Sequence, residues 1–81
     1  MISKNCIETA YCFFHQKERV YAYSTLDWQR EDIEYAIAQY VESMDSELYQ
    51  HLSHGRKDYL LEHRRFGEEL KEAVEVLEKM L

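Results

Sequence analysis

The amino-acid sequence predicts an all-α fold, a small bundle of three main helices and one short helix with up-down connections. The chain contains no proline and only two glycines, whereas a sheet protein of this size needs several tight turns that rely on those residues. Apolar residues also recur at steps of three and four in successive stretches of the sequence. With 81 residues, of which 46% are hydrophobic, the chain has room for one helical domain, expected to span residues 1–81.

The first helix is expected to run from Asn5 to about Ala22. Asn5 and Glu8 stand three residues apart, a spacing typical of the capping box at a helix start. The stretch VYAYS near its end alternates in the manner of a strand, so residues 20–24 could be helical or extended. We favour the helix because a single strand would have nothing to pair with. The apolar face of this helix comprises Ile7, Ala10, Tyr11, Phe14 and Tyr21.

The second helix follows the break STLD, where either Ser24 or Asp27 could cap the first turn. Trp28 and Tyr35 are seven residues apart and fall on the side opposite its apolar stripe. A helix that is apolar on two sides usually has a neighbour on each of them. The stripe that should face the core comprises Ile33, Ala36, Ile37, Tyr40, Val41 and Met44.

A short third helix is expected within MDSELYQHLSHG, capped by Asp45 or Ser46 and ended by Gly55 in the left-handed conformation. The fourth helix is expected from about Lys57 to the C-terminus, a length of about 36 Å. Its heptad stripe comprises Tyr59, His63, Phe66, Leu70, Ala73, Leu77 and Met80. Helices one, two and four should share a core of Ile7, Phe14, Ile33, Ile37, Tyr40, Phe66 and Leu70.

The length of the fourth helix predicts a contact between two copies of the chain. Helices one and two would each span about 25 Å, so the fourth would project beyond them by about 10 Å. Its last two turns would expose a contiguous apolar patch, which soluble monomers rarely leave uncovered. A two-fold homodimer would cover it, and another helical protein is the alternative partner. The predicted interface comprises Trp28, Tyr35, Val74, Leu77, Met80 and Leu81.

The net charge of −6 makes nucleic acid and anionic membranes poor partners, because both favour basic surfaces. One pattern nevertheless has the outline of a helix–turn–helix around Gly55. The basic residues that would then face phosphates are Arg56, Lys57, Arg64 and Arg65. We keep DNA binding as a third hypothesis. We favour the interpretation that these basic residues pair with the acidic second helix, within one chain or between chains.

Cys6 and Cys12 predict a reducing compartment. Six residues of helix rise about 9 Å, which is too far for a disulfide between them, and free thiols are typical of cytoplasmic proteins. The N-terminal residues lack the pattern of a signal peptide. The longest apolar run, from Ala10 to Phe14, is too short to span a membrane.

Glu47, His51 and His54 are the leading candidates for a metal site. Their spacing of i, i+4, i+7 would place a carboxylate and two imidazoles on one helical face, a donor set that suits zinc or iron. A fourth ligand would have to come from elsewhere, such as Asp58 or His63. The simpler interpretation is a polar helix face. We favour it, and we expect no catalytic residue, no metal and no cofactor.

Three other features have both a chemical and a structural interpretation. Cys12 and His15 could pair a thiol with an imidazole to form an activated nucleophile. We favour a surface thiol without a catalytic role, because the sequence has no Gly-x-Ser-x-Gly nucleophile elbow. His63 could be a pH switch, although a boundary histidine beside a carboxylate is favoured. The aromatic residues that could line a ligand pocket, or more simply form the core, are Tyr11, Phe13, Phe14, Trp28, Tyr35 and Tyr40.

The segments FFHQKERVYAYS and REDIEYAIAQYVESM resemble a group of short uncharacterised bacterial proteins, mostly of Bacteroidales. The resemblance covers most of the chain and implies a bacterial cytosolic protein, but the group has no assigned activity to carry over. From the residues themselves we predict a non-catalytic helical interaction or assembly module that forms a homodimer. The alternatives are a small metal-binding protein or metal-dependent enzyme that uses Glu47, His51 and His54, and a DNA-binding accessory protein.

Overall fold

A computed structural model describes residues 2–81 and confirms the all-α class, since those residues contain helices and turns but no strand. The last helix packs most extensively against the first, while the second and third helices make smaller contacts with this pair. No helix within residues 2–81 is both long and apolar enough to cross a membrane. The helices are α1 (Lys4–Tyr23), α2 (Asp27–Ser43), α3 (Ser46–Ser53) and α4 (Phe66–Met80), with a 3₁₀ turn at His63–Arg65.

The first helix begins one residue before the predicted start, because Ser3 caps it in place of Asn5. The Ser3 side-chain oxygen accepts a hydrogen bond from the Cys6 N–H at 3.1 Å. The stretch VYAY is helical, as expected, and α1 ends at Tyr23. Ser24 closes this end: its buried hydroxyl donates to the Val20 carbonyl at 2.7 Å.

Neither Ser24 nor Asp27 caps α2, so both predicted caps are wrong. Leu26 occupies the cap position, and its side chain has no hydrogen-bonding atom to offer. The Gln29 side chain satisfies the Leu26 N–H instead, at 3.4 Å. Only one of the two hydrogen bonds of a capping box is therefore present, the one from the N-cap backbone N–H to the N3 side chain.

The start of α3 agrees with the sequence, and its end differs by one residue. Asp45 caps the helix, since its carboxylate accepts from the Leu48 N–H at 3.2 Å. The first left-handed residue is His54, with φ of 55°, and Gly55 follows with φ of 78°. The left-handed termination expected at Gly55 therefore begins at His54.

The fourth helix starts at Phe66, so the predicted start at Lys57 is wrong. Residues 54–62 form an irregular loop, in which Asp58 and Leu60 have φ of 55° and 65°. A continuous helix cannot pass through left-handed residues. Tyr59 is fully buried as the heptad pattern implied, but it enters the core from this loop.

The core agrees largely with the prediction. Six of the seven expected residues are buried, and the seventh, Tyr40, is partly buried and stacks on Phe13 with ring centroids 4.4 Å apart. The structure adds Ala10, Leu48, Leu52, Tyr59, Leu60, Ala73, Val74 and Leu77.

The end of α4 does not project as an apolar patch. Val74 is 8% exposed and Leu77 is fully buried within the chain, so the expectation that both face a second copy is wrong. The reason is the later start of the helix: its 15 residues span about 22 Å, and the 20-residue α1 is long enough to accompany it. Of the expected patch, only Leu81 is exposed, while Met80 is partly buried against the core.

Gly67 lies at a close contact between α1 and α4. A Cβ atom at this position would lie 3.3 Å from Cε2 of Tyr21, so the neighbouring helix leaves little room for a side chain there. The Tyr21 ring also packs against Phe66, with ring centroids 5.0 Å apart. The glycine therefore admits an aromatic ring that joins the two helices.

Candidate interaction surface

Large apolar side chains are exposed at the junction of α1 and α2. Four of them lie within nine residues of sequence and form what we call the aromatic corner: Val20, Tyr23, Leu26 and Trp28. Tyr23 is 81% exposed and Trp28 is 60% exposed. The helical repeat explains the exposure of Tyr23, since Ile7 and Phe14 point the opposite side of α1 into the core. Leu61 and Leu81, the other exposed leucines, stand apart from this cluster in the sequence.

A groove of about 490 Å³ lies beside the aromatic corner. We call it the α1 groove, because five residues of α1 line it: His15, Gln16, Arg19, Val20 and Tyr23. Ser24 and Gln29 complete the lining. Within residues 2–81 the lining contains a guanidinium and an imidazole but no carboxylate, so it offers an electropositive contact.

The outward side of α2 has the opposite character. The residues at helical spacing from Trp28 form the α2 ridge and are all exposed: Trp28, Glu31, Asp32, Tyr35, Gln39 and Glu42. Tyr35 is 67% exposed, and its hydroxyl oxygen accepts a hydrogen bond from the Gln39 amide at 3.0 Å. Three of these six residues are carboxylates and none is a cation, so the ridge is acidic as well as aromatic.

Arg30 belongs to α2 but turns away from the ridge. Its Nε donates to the Ser24 carbonyl at 3.2 Å, and its guanidinium lies 5.4 Å from the centre of the Tyr21 ring. These contacts join the start of α2 to the end of α1. The same contacts hold the Arg30 guanidinium, the positive charge nearest the start of α2, away from the carboxylates of the α2 ridge.

The candidate metal ligands are not brought together. Among residues 2–81, no three or more His, Cys, Asp or Glu side chains are placed to hold a metal ion. The rings of His51 and His54 are tilted, with centroids 6.2 Å apart, because His54 leaves the helix in the left-handed conformation. Glu47 and His51 border a shallow cleft on α3.

The helix–turn–helix outline is wrong. Twelve residues, 54–65, separate α3 from α4, whereas that motif joins its helices through three or four residues. Two of the proposed phosphate contacts are also engaged within the chain. Arg56 pairs with Glu72 and its guanidinium lies 4.5 Å from the centre of the Tyr59 ring, while Arg65 pairs with Glu62.

Both cysteines are free thiols; Cys12 is exposed, as expected, and Cys6 is partly buried. His15 stacks on Tyr11 with ring centroids 5.3 Å apart, which gives the imidazole an aromatic neighbour.

Of the aromatic residues, Phe14 and Tyr40 pack in the core edge to face, with ring centroids 5.3 Å apart. Trp28 and Tyr35 do not, so the expectation of a shared aromatic core is wrong for these two.

His63 pairs with a carboxylate, as favoured from the sequence. Its Nδ1 lies 2.8 Å from an oxygen of Glu34 on α2. This hydrogen bond, followed by the charge of the same carboxylate and then of Glu31 and Asp27, raises the pKa of His63 above its usual 6.5. The contact joins the 3₁₀ turn to α2.

This pair predicts a pH-dependent stability. A raised pKa in the folded state means that protonated His63 stabilises the fold fully below about pH 6.5 and that this contribution fades as pH rises through the higher folded value. His63→Gln should therefore lower the melting temperature slightly near pH 5 and much less near pH 9. Glu34→Gln is the matched control: it should reproduce the effect, and the double variant should add nothing. An effect of His63→Gln that is the same at both pH values would contradict the assignment.

Comparison with family models, curated proteins and solved structures gives no match for this chain. The surface at the junction of α1 and α2 is therefore the feature from which a function can be inferred.

Proposed function

We propose that this protein is a non-catalytic helical module that assembles with a second copy of itself through the aromatic corner, the α1 groove and the α2 ridge. The proposal includes an up-down arrangement of the main helices and a role in the reducing cytoplasm of a bacterium. The two free thiols support a reducing compartment. The observation that carries the proposal is the exposure of Tyr23, Trp28 and Tyr35 on adjoining outward faces.

A cluster of exposed aromatic residues indicates a surface that binds another protein. Soluble monomers rarely expose contiguous apolar patches, and Trp and Tyr are the residues that contribute most to binding energy in protein interfaces. Other aromatic residues fill the core of the chain, since Phe14, Tyr59 and Phe66 are buried. Trp28 and Tyr35 therefore remain available for a partner and add nothing to the core.

The proposed interface differs from the one predicted from sequence. Trp28 and Tyr35 remain in it, and Tyr23 joins them. Val74 and Leu77 leave it because α1 and the rest of their own chain already cover them. The tip of α4 has no place in this contact.

Light scattering at micromolar concentration tests the proposal. We expect the wild-type chain to have the mass of a dimer, and Trp28→Ser and Tyr23→Ser to shift it to the monomer, since both remove exposed aromatic surface. Leu61→Ser is the matched control, because Leu61 is 49% exposed but lies in the loop outside the proposed contact. A monomer mass for the wild type would refute the proposal. So would a loss of the dimer in Leu61→Ser as large as that in Trp28→Ser.

A further inference from the structure

The two surfaces beside the aromatic corner carry opposite charge. The α1 groove offers Arg19 together with His15, and no carboxylate of residues 2–81 lines it. The α2 ridge presents Glu31, Asp32 and Glu42 on the same exposed side as its aromatic residues. Each copy of the chain therefore holds both halves of a complementary contact.

The charges discriminate between the possible ways of pairing two copies. Ridge against ridge would bring the three carboxylates of one copy against the same three of the other, and groove against groove would oppose the two Arg19 side chains. Juxtaposed like charges at an interface disfavour the complex. Ridge against groove places Glu31 and Asp32 opposite Arg19, and it is the pairing that the charges favour.

The shapes agree with this pairing. The groove is a concave surface of about 490 Å³, whereas Trp28 and Tyr35 project from α2 two turns apart, a separation of about 10 Å along the helix. Gln29 lines the groove and is the neighbour of Trp28 in sequence, so the two surfaces adjoin in each chain. A two-fold axis near this junction can therefore form both groove-to-ridge contacts at once, which closes the dimer.

We infer that, in the assembly proposed above and resting on that proposal, the α2 ridge of one protomer lies in the α1 groove of its partner, with Glu31 and Asp32 against Arg19. Trp28 and Tyr35 supply the apolar part of the same contact. The occupant of the groove is thus a second copy of this chain, recognised by an aromatic and acidic helix face.

A charge exchange between two variants tests the arrangement. Arg19→Glu alone should weaken self-association about tenfold or more, and so should the double variant Glu31→Lys/Asp32→Lys, because each homodimer then opposes like charges twice. An equimolar mixture of the two should recover association near that of the wild type. In the mixed dimer, the groove with reversed charge meets the ridge with reversed charge, and the native ridge meets the native Arg19.

Sedimentation equilibrium measures all four samples, and circular dichroism confirms that each variant is folded. Lys79→Glu is the matched control: this exposed lysine on α4 lies outside both surfaces, and its reversal should leave the dissociation constant unchanged.

A wild-type monomer would overturn the proposed function and this arrangement together. A wild-type dimer that both reversals leave intact, or two weakened variants that do not recover on mixing, would overturn the arrangement while self-assembly stands. A dimer that phosphate or citrate dissociates by binding the groove, with no response to changes on the ridge, would show the groove to be a small-anion site and would also overturn it.

Discussion

Replacement of Tyr59 by alanine is expected to destabilise the fold by about 3–5 kcal/mol, the range for removing a buried aromatic ring. Tyr59 is fully buried, although it lies in the loop before α4. Its ring contacts Tyr49 edge to face with centroids 6.3 Å apart, and its hydroxyl donates to the Glu69 carbonyl at 3.1 Å. The side chain therefore fastens an irregular segment to both α3 and α4.

Two further variants separate the ring of Tyr59 from its hydroxyl. Burial, with the nearby charge of Glu72, raises the pKa of Tyr59 far above its usual 10, so the hydroxyl remains a donor at every pH at which the protein is handled. Tyr59→Phe should cost about 0.5–1.5 kcal/mol, because the hydrogen bond from the hydroxyl to the Glu69 carbonyl is lost while the ring stays. Leu61→Ala, at an exposed site in the same loop, should stay within about 0.5 kcal/mol of the wild type. Urea unfolding measures all three, and equal effects of Tyr59→Ala and Leu61→Ala would contradict the account of this loop.

Glu69→Ala is expected to cost about 2–4 kcal/mol, from a cavity and an orphaned donor together. The Glu69 side chain is 4% exposed, and its carboxylate accepts from the Leu60 N–H at 2.8 Å. Leu60 is a buried residue with φ of 65°, and the left-handed conformation costs a residue of this kind about 1–2 kcal/mol. The carboxylate therefore holds a backbone conformation that the residue would not adopt alone.

Glu69→Gln is the control for this prediction. Its amide oxygen can still accept from the Leu60 N–H, so we expect it to cost less than half of the effect of Glu69→Ala. Hydrogen exchange at the Leu60 amide should accelerate strongly in Glu69→Ala and only slightly in Glu69→Gln. A protected Leu60 amide in Glu69→Ala would show that other contacts hold the turn.

The regular helices could be predicted from the sequence, because their apolar periodicity and caps are local properties. The stripe containing Ile33 and Ile37 predicts α2, and Asp45 predicts the start of α3. The start of α4 could not be predicted in this way. Tyr59 continues the apolar spacing of α4, yet it reaches the core from a loop whose left-handed residues include Leu60, a conformation that a leucine gives no reason to expect.

The candidate surface was predictable only in part. Trp28 and Tyr35 are seven residues apart and opposite the core stripe, so their exposure follows from helical geometry. The sequence places Val74 and Leu77 in the interface because it predicts a longer α4. The α1 groove was missed, although the outward spacing of Arg19 and Tyr23 offered a signal. Its closure by Gln29 depends on where the chain turns between α1 and α2, which the sequence alone does not determine.

Trp28 is the single tryptophan of the chain, so its fluorescence reports directly on whether the α2 ridge is covered in the assembly. A dilution series from high micromolar to nanomolar concentration would follow its emission maximum and its quenching by acrylamide. We expect emission shifted to shorter wavelength and weak quenching at high concentration. Both should revert, on dilution, to the values of an exposed indole at the concentration where the mass falls to that of a monomer. Emission of an exposed indole at every concentration, with a mass that shows a dimer, would contradict the account.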